Sequence, residues 1–124
     1  MRGERRKAAL AGRLADDRDA VATAASVTAQ EARGLGVNWS FAPDADLDIE
    51  PANPIVQTRS FGADPARVAE CVKVWVEACE SAGALACVKH YPGHGRTRTD
   101  SHAGLPVVDA DAATLAATDL IPFR

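Results

Sequence analysis

Two stretches of the chain place apolar residues at helical spacing. In the first, Val21, Ala24, Ala25, Ala29 and Ala32 share one face, and Gly34 stands where the helix would end. The second is more sharply bounded. Asp64 is a suitable cap and Pro65 suits a first turn; Val68, Cys71, Val72, Trp75, Val76 and Cys79 then recur on one face up to Gly83. Between and after these helices lie two runs of strand character. Val37 to Pro43 (VNWSFAP) is the more polar, whereas Ala84 to Val88 (ALACV) is continuously apolar and predicts a buried strand. Residues 44–58, rich in acids and prolines, predict a long loop, and Asp109 to Thr118 predicts a third helix capped by Asp109 or Asp111.

The order helix, strand, helix, strand, helix contains no hairpin signal. Strands alternating with helices imply parallel pairing through crossovers, hence an α/β fold. Composition alone does not separate a barrel from an open doubly wound sheet. No internal repeat or low-complexity segment interrupts the pattern.

The chain of 124 residues carries a formal charge of −3, which gives no reason to expect a nucleic-acid partner. Its start is basic, through Arg2, Arg5, Arg6 and Lys7, and residues 1–16 are expected to form a solvated peripheral segment. Arg13, Asp16 and Asp17 break any apolar run there, so neither a secretory leader nor a membrane span is expected. Cys71, Cys79 and Cys87 are odd in number and lack metal-binding spacing, which predicts buried free thiols and a reducing, cytoplasmic compartment.

The densest chemistry follows the apolar run directly: Lys89-His90-Tyr91-Pro92-Gly93-His94-Gly95-Arg96-Thr97-Arg98-Thr99-Asp100-Ser101-His102 holds all three histidines. Reactive groups on a Gly-rich loop at the carboxyl end of a parallel strand mark the active-site edge of α/β enzymes. His90 and His94 have ligand spacing, but Pro92, Gly93 and Gly95 oppose the helix that would align them, so no metal is expected. Asp44-x-Asp46-x-Asp48 opens like a calcium loop and fails at Ile49 and Ile55. Arg96 and Arg98 are suited to an anion, although charged residues on such a loop are more often simply exposed. Trp75 belongs to the helical stripe and is assigned to the core, while periodicity leaves Trp39 undecided.

Three segments resemble glycoside hydrolase family 3, in particular its bacterial β-N-acetylhexosaminidase branch. They are Gly36-Val37-Asn38 to Asp46, Asn53-Pro54-Ile55-Val56 to Asp64-Pro65, and the signature run continued by Gly104-Leu105-Pro106-Val107-Val108-Asp109. The resemblance covers residues 17–124 and implies a (β/α)8 barrel domain. Such barrels take about 250 residues, so this chain would supply about half of one or less, and the rest of the barrel would be its partner. By the same resemblance, Arg59, Lys89 and His90 hold sugar hydroxyls. Asp100 and His102 form a dyad in which His102 is the general acid/base, Asp46 orients basic neighbours, and His94 braces the loop or lines the pocket. The implied substrate is a saccharide with terminal β-linked N-acetylglucosamine, cleaved with retention and without a cofactor. The family's nucleophile is an aspartate on a later strand. Asp109, Asp111 and Asp119 match no such motif, so this chain is expected to be inactive alone. The alternatives are a β-glucosidase or glycoside phosphorylase of the same fold, or a non-catalytic sugar-binding domain that needs a partner.

Overall fold

Asp17 and Asp64 each begin a helix by accepting a backbone N–H three residues ahead, from Ala20 at 3.1 Å and Arg67 at 2.8 Å. The structure, a computed structural model, describes residues 15–124. Most of the basic segment 1–16 lies outside the described residues; at its end, Asp16 pairs with Arg67 at 2.5 Å.

Helix α1 spans Arg18–Gly34 and α2 spans Pro65–Ser81. Their apolar faces meet in two adjoining cores. One gathers Val21, Ala45, Leu47, Phe61, Val68, Cys71, Val72 and Val74; the other gathers Ala25, Ala29, Cys79 and Ala84. Complete burial of a valine such as Val21 or Val68 contributes roughly 1.5–3 kcal/mol relative to exposure. Trp75 packs against both cores and lies 6.4 Å, centroid to centroid, from Phe61. Cys71 and Cys79 are buried, whereas Cys87 is only half-buried.

Two strands, β1 (Trp39–Ser40) and β2 (Leu85–Ala86), pair in parallel with Trp39 opposite Leu85. They are shorter than the predicted runs, but backbone bonds extend the pairing at both ends. Leu85 N donates to Asn38 O, Cys87 N to Ala42 O, Lys89 N to Pro43 O, and Ala45 N to Lys89 O. An isolated parallel bridge joins Asp44 to Lys89. This ladder carries the chain from the helices to the loops that hold the polar cluster.

Two expectations are corrected. Run 84–88 is not uniformly buried: Leu85 is 59% exposed because α1 and α2 cover only one face of this two-stranded sheet. Trp39 and Phe41 stand out of the same sheet and stack edge to face at 5.1 Å. Gly34 ends α1 as expected, and Gly36, two residues on, takes the left-handed backbone with φ +82°. The third helix, α3, is shorter than predicted, Ala112–Ala117, and Asp111 is its cap, accepting from Thr114 N at 2.7 Å. A 3₁₀ turn, Ile121–Phe123, then packs beside α2. Among the described residues no helix is long and apolar enough to cross a membrane.

Candidate active site

The loop between β1 and α2 is polar in sequence, yet two of its acids turn inward, while Asp48 stays exposed. Asp44, Asp46, Asn53 and Ser60 are all buried. Asp46, fully buried, accepts from His90 Nδ1 at 2.6 Å and from the His94 backbone N–H at 2.5 Å. Ser60 Oγ donates to the Asp46 carbonyl at 2.6 Å. Because Nδ1 of His90 faces a carboxylate, the neutral ring carries its proton there and turns a bare Nε2 outward. Arg59 Nη2 lies 3.5 Å from that Nε2 and 3.0 Å from Asp44 Oδ2.

Segments far apart in sequence are thus joined: Asp46 and His90 are 44 residues apart, Arg59 and His90 31. Lys89 precedes His90 through a cis peptide and is fixed through its backbone, which pairs with Pro43 and Ala45. Asp44, Asp46 and His90 have ligand atoms within 4.8 Å of one another. The cation beside them is the Arg59 guanidinium.

The electrostatics divide the two acids. Burial, reinforced by the neighbouring Asp46 and only partly offset by Arg59, pushes the Asp44 carboxyl up to about 7. Burial also opposes ionisation of Asp46. There, however, hydrogen bonds from Asp44, His90 and the His94 backbone prevail and hold it below the ordinary carboxylate range.

The signature loop is clamped from beneath. Asn53 Oδ1 accepts from Ile55 N and Val56 N, each at 2.9 Å, while its Nδ2 donates to the His94 carbonyl at 2.9 Å. Gly95 lies directly on the Leu47 backbone, where any Cβ would strike the Leu47 carbonyl oxygen. His94 is buried; its Nδ1 meets Thr97 Oγ1, and its ring stands edge-on to His90 at 6.1 Å. Its contacts lie within the loop and against His90.

Asp100 and His102 meet differently. Asp100 Oδ1 accepts from His102 N at 2.9 Å and from His102 Nδ1 at 2.7 Å, and the His102 side chain is 91% exposed. These contacts, the backbone one first, hold the Asp100 carboxyl below its ordinary range. No hydrogen bond joins this pair to the buried cluster among the described residues. Arg96 and Arg98 are not free anion grips: Arg96 pairs with buried Asp119 at 2.8 Å, and Arg98 with Glu50 at 2.8 Å. An open cleft of about 540 Å³ lies beside them, lined by Glu50, Arg96, Arg98, Leu105 and Val107, and it does not include Arg59 or His90.

Sequence reasoning assigned no function to Asn53, Ser60 or Asp44. The Asn-Pro and Arg-Ser-Phe-Gly motifs pointed to the first two, since polar residues fixed within apolar motifs are often internal braces.

Residues 6–124 match the glycosyl hydrolase family 3 N-terminal domain. The chain belongs to this family, and its open parallel sheet is part of the corresponding barrel-type α/β fold. It is 44% identical over 99 residues to a β-hexosaminidase A of Pseudoalteromonas piscicida, an alignment that covers 80% of this chain and 17% of that protein. It superposes with TM-score 0.87 and 39% identity on a family 3 β-N-acetylglucosaminidase from Paenibacillus, covering 92% of this chain and 22% of that one. A β-glucoside phosphorylase is also similar, at TM-score 0.86 and 31% identity, with 91% and 20% covered. The chain therefore spans about a fifth of the length of these relatives.

Proposed function

We propose that this chain supplies the sugar-holding and acid/base parts of a retaining β-N-acetylhexosaminidase that removes terminal β-linked N-acetylglucosamine. The observation that carries the reading is the meeting of Arg59 and His90 above two buried acids, Asp44 beside Arg59 and Asp46 beside His90. They form a cationic and imidazole edge, next to the backbone of Lys89, that is in place before any ligand arrives. Such an edge orients a polyhydroxyl ring without losing side-chain freedom on binding.

His102 then acts on the glycosidic oxygen. Its Nδ1 is committed to Asp100, so Nε2 is the atom that gives and takes the proton. Protonated, Nε2–H donates to the departing oxygen; neutral, Nε2 accepts a proton from the water that attacks the glycosyl-enzyme. Asp100 stabilises the charged ring between these steps. The nucleophilic carboxylate that forms the glycosyl bond comes from outside residues 1–124, because Asp109, Asp111 and Asp119 serve as surface, cap and buried ion-pair partner. The remainder of the barrel is thus this chain's structural partner.

A second reading is favoured by the similarity to a β-glucoside phosphorylase. A neutral histidine base repels phosphate less than a carboxylate does, so phosphate can replace water as acceptor. The test for both uses a chromogenic N-acetylglucosaminide, with and without phosphate. The isolated chain is expected to show no turnover. The protein extended by the missing barrel is expected to release N-acetylglucosamine, or its 1-phosphate under the second reading. Turnover by the isolated chain that is lost in Asp100→Ala/His102→Ala contradicts the external nucleophile. Absence of turnover in the extended protein contradicts the hydrolase assignment.

A further inference from the structure

Asp44 lies outside the set of residues that the family resemblance equips with a role, yet it is 8% exposed and occupies the crossing point of the site. It sits where β1 runs out, in the bridge opposite Lys89. One carboxylate oxygen, Oδ1, accepts from Asp46 N at 3.1 Å. The other, Oδ2, accepts no hydrogen bond among the described residues and forms an ion pair with Arg59 Nη2 at 3.0 Å. Arg59 is otherwise weakly restrained: its backbone N–H donates to Val56 O at 2.7 Å, and its guanidinium meets only His90 Nε2, at 3.5 Å. An arginine side chain has large rotamer freedom, and this one is 40% exposed. Without an anion behind it, the guanidinium would swing into solvent.

We infer that Asp44 is the positioning residue for Arg59: it pins Nη2 from the buried side and leaves the remaining guanidinium donors facing the sugar edge. The inference rests on the proposed sugar-binding role of Arg59. Its geometry differs from that of Asp46, which holds His90. The two acids divide the site, one per basic side chain, and the Asp44–Asp46 backbone bond keeps them in register. The charged and titratable groups facing Asp44 are Asp46 on its own segment, Arg59 from the following loop, and Lys89 and His90 across the bridge.

A purely architectural role, holding its own turn through Asp46 N, would survive Asp44→Asn, because the amide oxygen still accepts that bond. Positioning would not survive it, since the amide nitrogen cannot pair with a guanidinium. Asp44→Asn is therefore expected to weaken N-acetylglucosamine binding about tenfold, the effect of one charge-assisted contact. The pH profile gives the second readout. As pH falls through about 7, Asp44 takes up its proton and Arg59 loses its partner. Wild-type affinity then declines toward about pH 5, while Asp44→Asn stays flat and weak over that window.

The Arg59 guanidinium ¹⁵N signals provide a ligand-free measurement on the unaltered chain. Resolved, slowly exchanging Nη signals at about pH 8 that coalesce as Asp44 protonates support the inference. Equal affinity of wild type and Asp44→Asn at every pH overturns it, as do Arg59 signals that ignore the Asp44 titration. If the unaltered chain binds no N-acetylglucosamine, the sugar-binding proposal falls, and the guanidinium signals alone decide whether Asp44 pins Arg59.

Discussion

Asp46 and Asp100 each accept a hydrogen bond from a histidine Nδ1, at 2.6 and 2.7 Å. The two pairs are otherwise opposites. Asp46 is fully buried and meets a residue 44 positions away; the Asp100 side chain is 36% exposed and meets one two positions away. The first pair exists only when the fold does, and the fold depends on it in turn, because Asp46 also satisfies the His94 backbone N–H. The second needs little beyond its own turn. Binding a ring calls for a rigid frame, whereas proton transfer to a leaving oxygen calls for an accessible Nε2. The buried cluster and the open dyad match these two demands.

The comparison breaks most visibly at Asp46. Asp46→Ala strands the donors of His90 and His94 in a buried setting and is expected to destabilise the chain by about 3 kcal/mol or more in a urea titration, with loss of N-acetylglucosamine binding. A variant as stable as wild type would show that the cluster is not integral to the fold. Gly95→Ala comes next: the new methyl meets the Leu47 carbonyl, and a loss of about 2 kcal/mol is expected in the same titration.

The third prediction concerns pH. The folded-state pKa of Asp44 is raised to about 7, so between about pH 4 and 7 the folded chain holds a proton that the unfolded chain releases. Asp44 therefore adds stability at low pH and withdraws it as pH rises, with a slope of at most about 1.4 kcal/mol per pH unit. Asp46 has the opposite sign: its stabilisation is present above the usual carboxylate range and is lost only as pH falls through its depressed folded value. Denaturation midpoints of Asp44→Asn are expected to lack the decline between pH 4 and 7 that wild type shows.

The exposed pair gives the smallest structural effect. His102→Ala is expected to leave stability within about 0.5 kcal/mol in the urea titration and, in the protein extended by the missing barrel, to remove the turnover proposed to need its Nε2. Carboxyl ¹³C titration is expected to show Asp100 moving only part of the way back to its ordinary range in that variant, because the 102 backbone N–H remains its first stabilising contact. A full return would assign the shift to the imidazole instead.

Helix α2 was legible in full. Asp64, Pro65 and the Val68–Cys79 stripe are local signals, and local physics decides a helix end and an apolar face. The Asp100–His102 pair came from the family resemblance, and its contact is a local one between residues two apart. The inward turn of the 44–58 loop was not legible. Acids and prolines in a row predict solvent exposure, and nothing within the loop shows that Asp44 and Asp46 are met by Arg59 and by a histidine from beyond β2. The exposure of Leu85 escaped notice similarly: an apolar run tells which residues prefer burial, not how many of the sheet's faces are covered.

The most direct test of the account is ¹⁵N-histidine NMR of the chain titrated with N-acetylglucosamine. The account predicts a saturable shift of His90, a smaller one of His94 behind it, and none of His102, since holding and proton transfer reside in separate structures. A shift confined to His102, or no saturable shift of His90 at any sugar concentration, would contradict it.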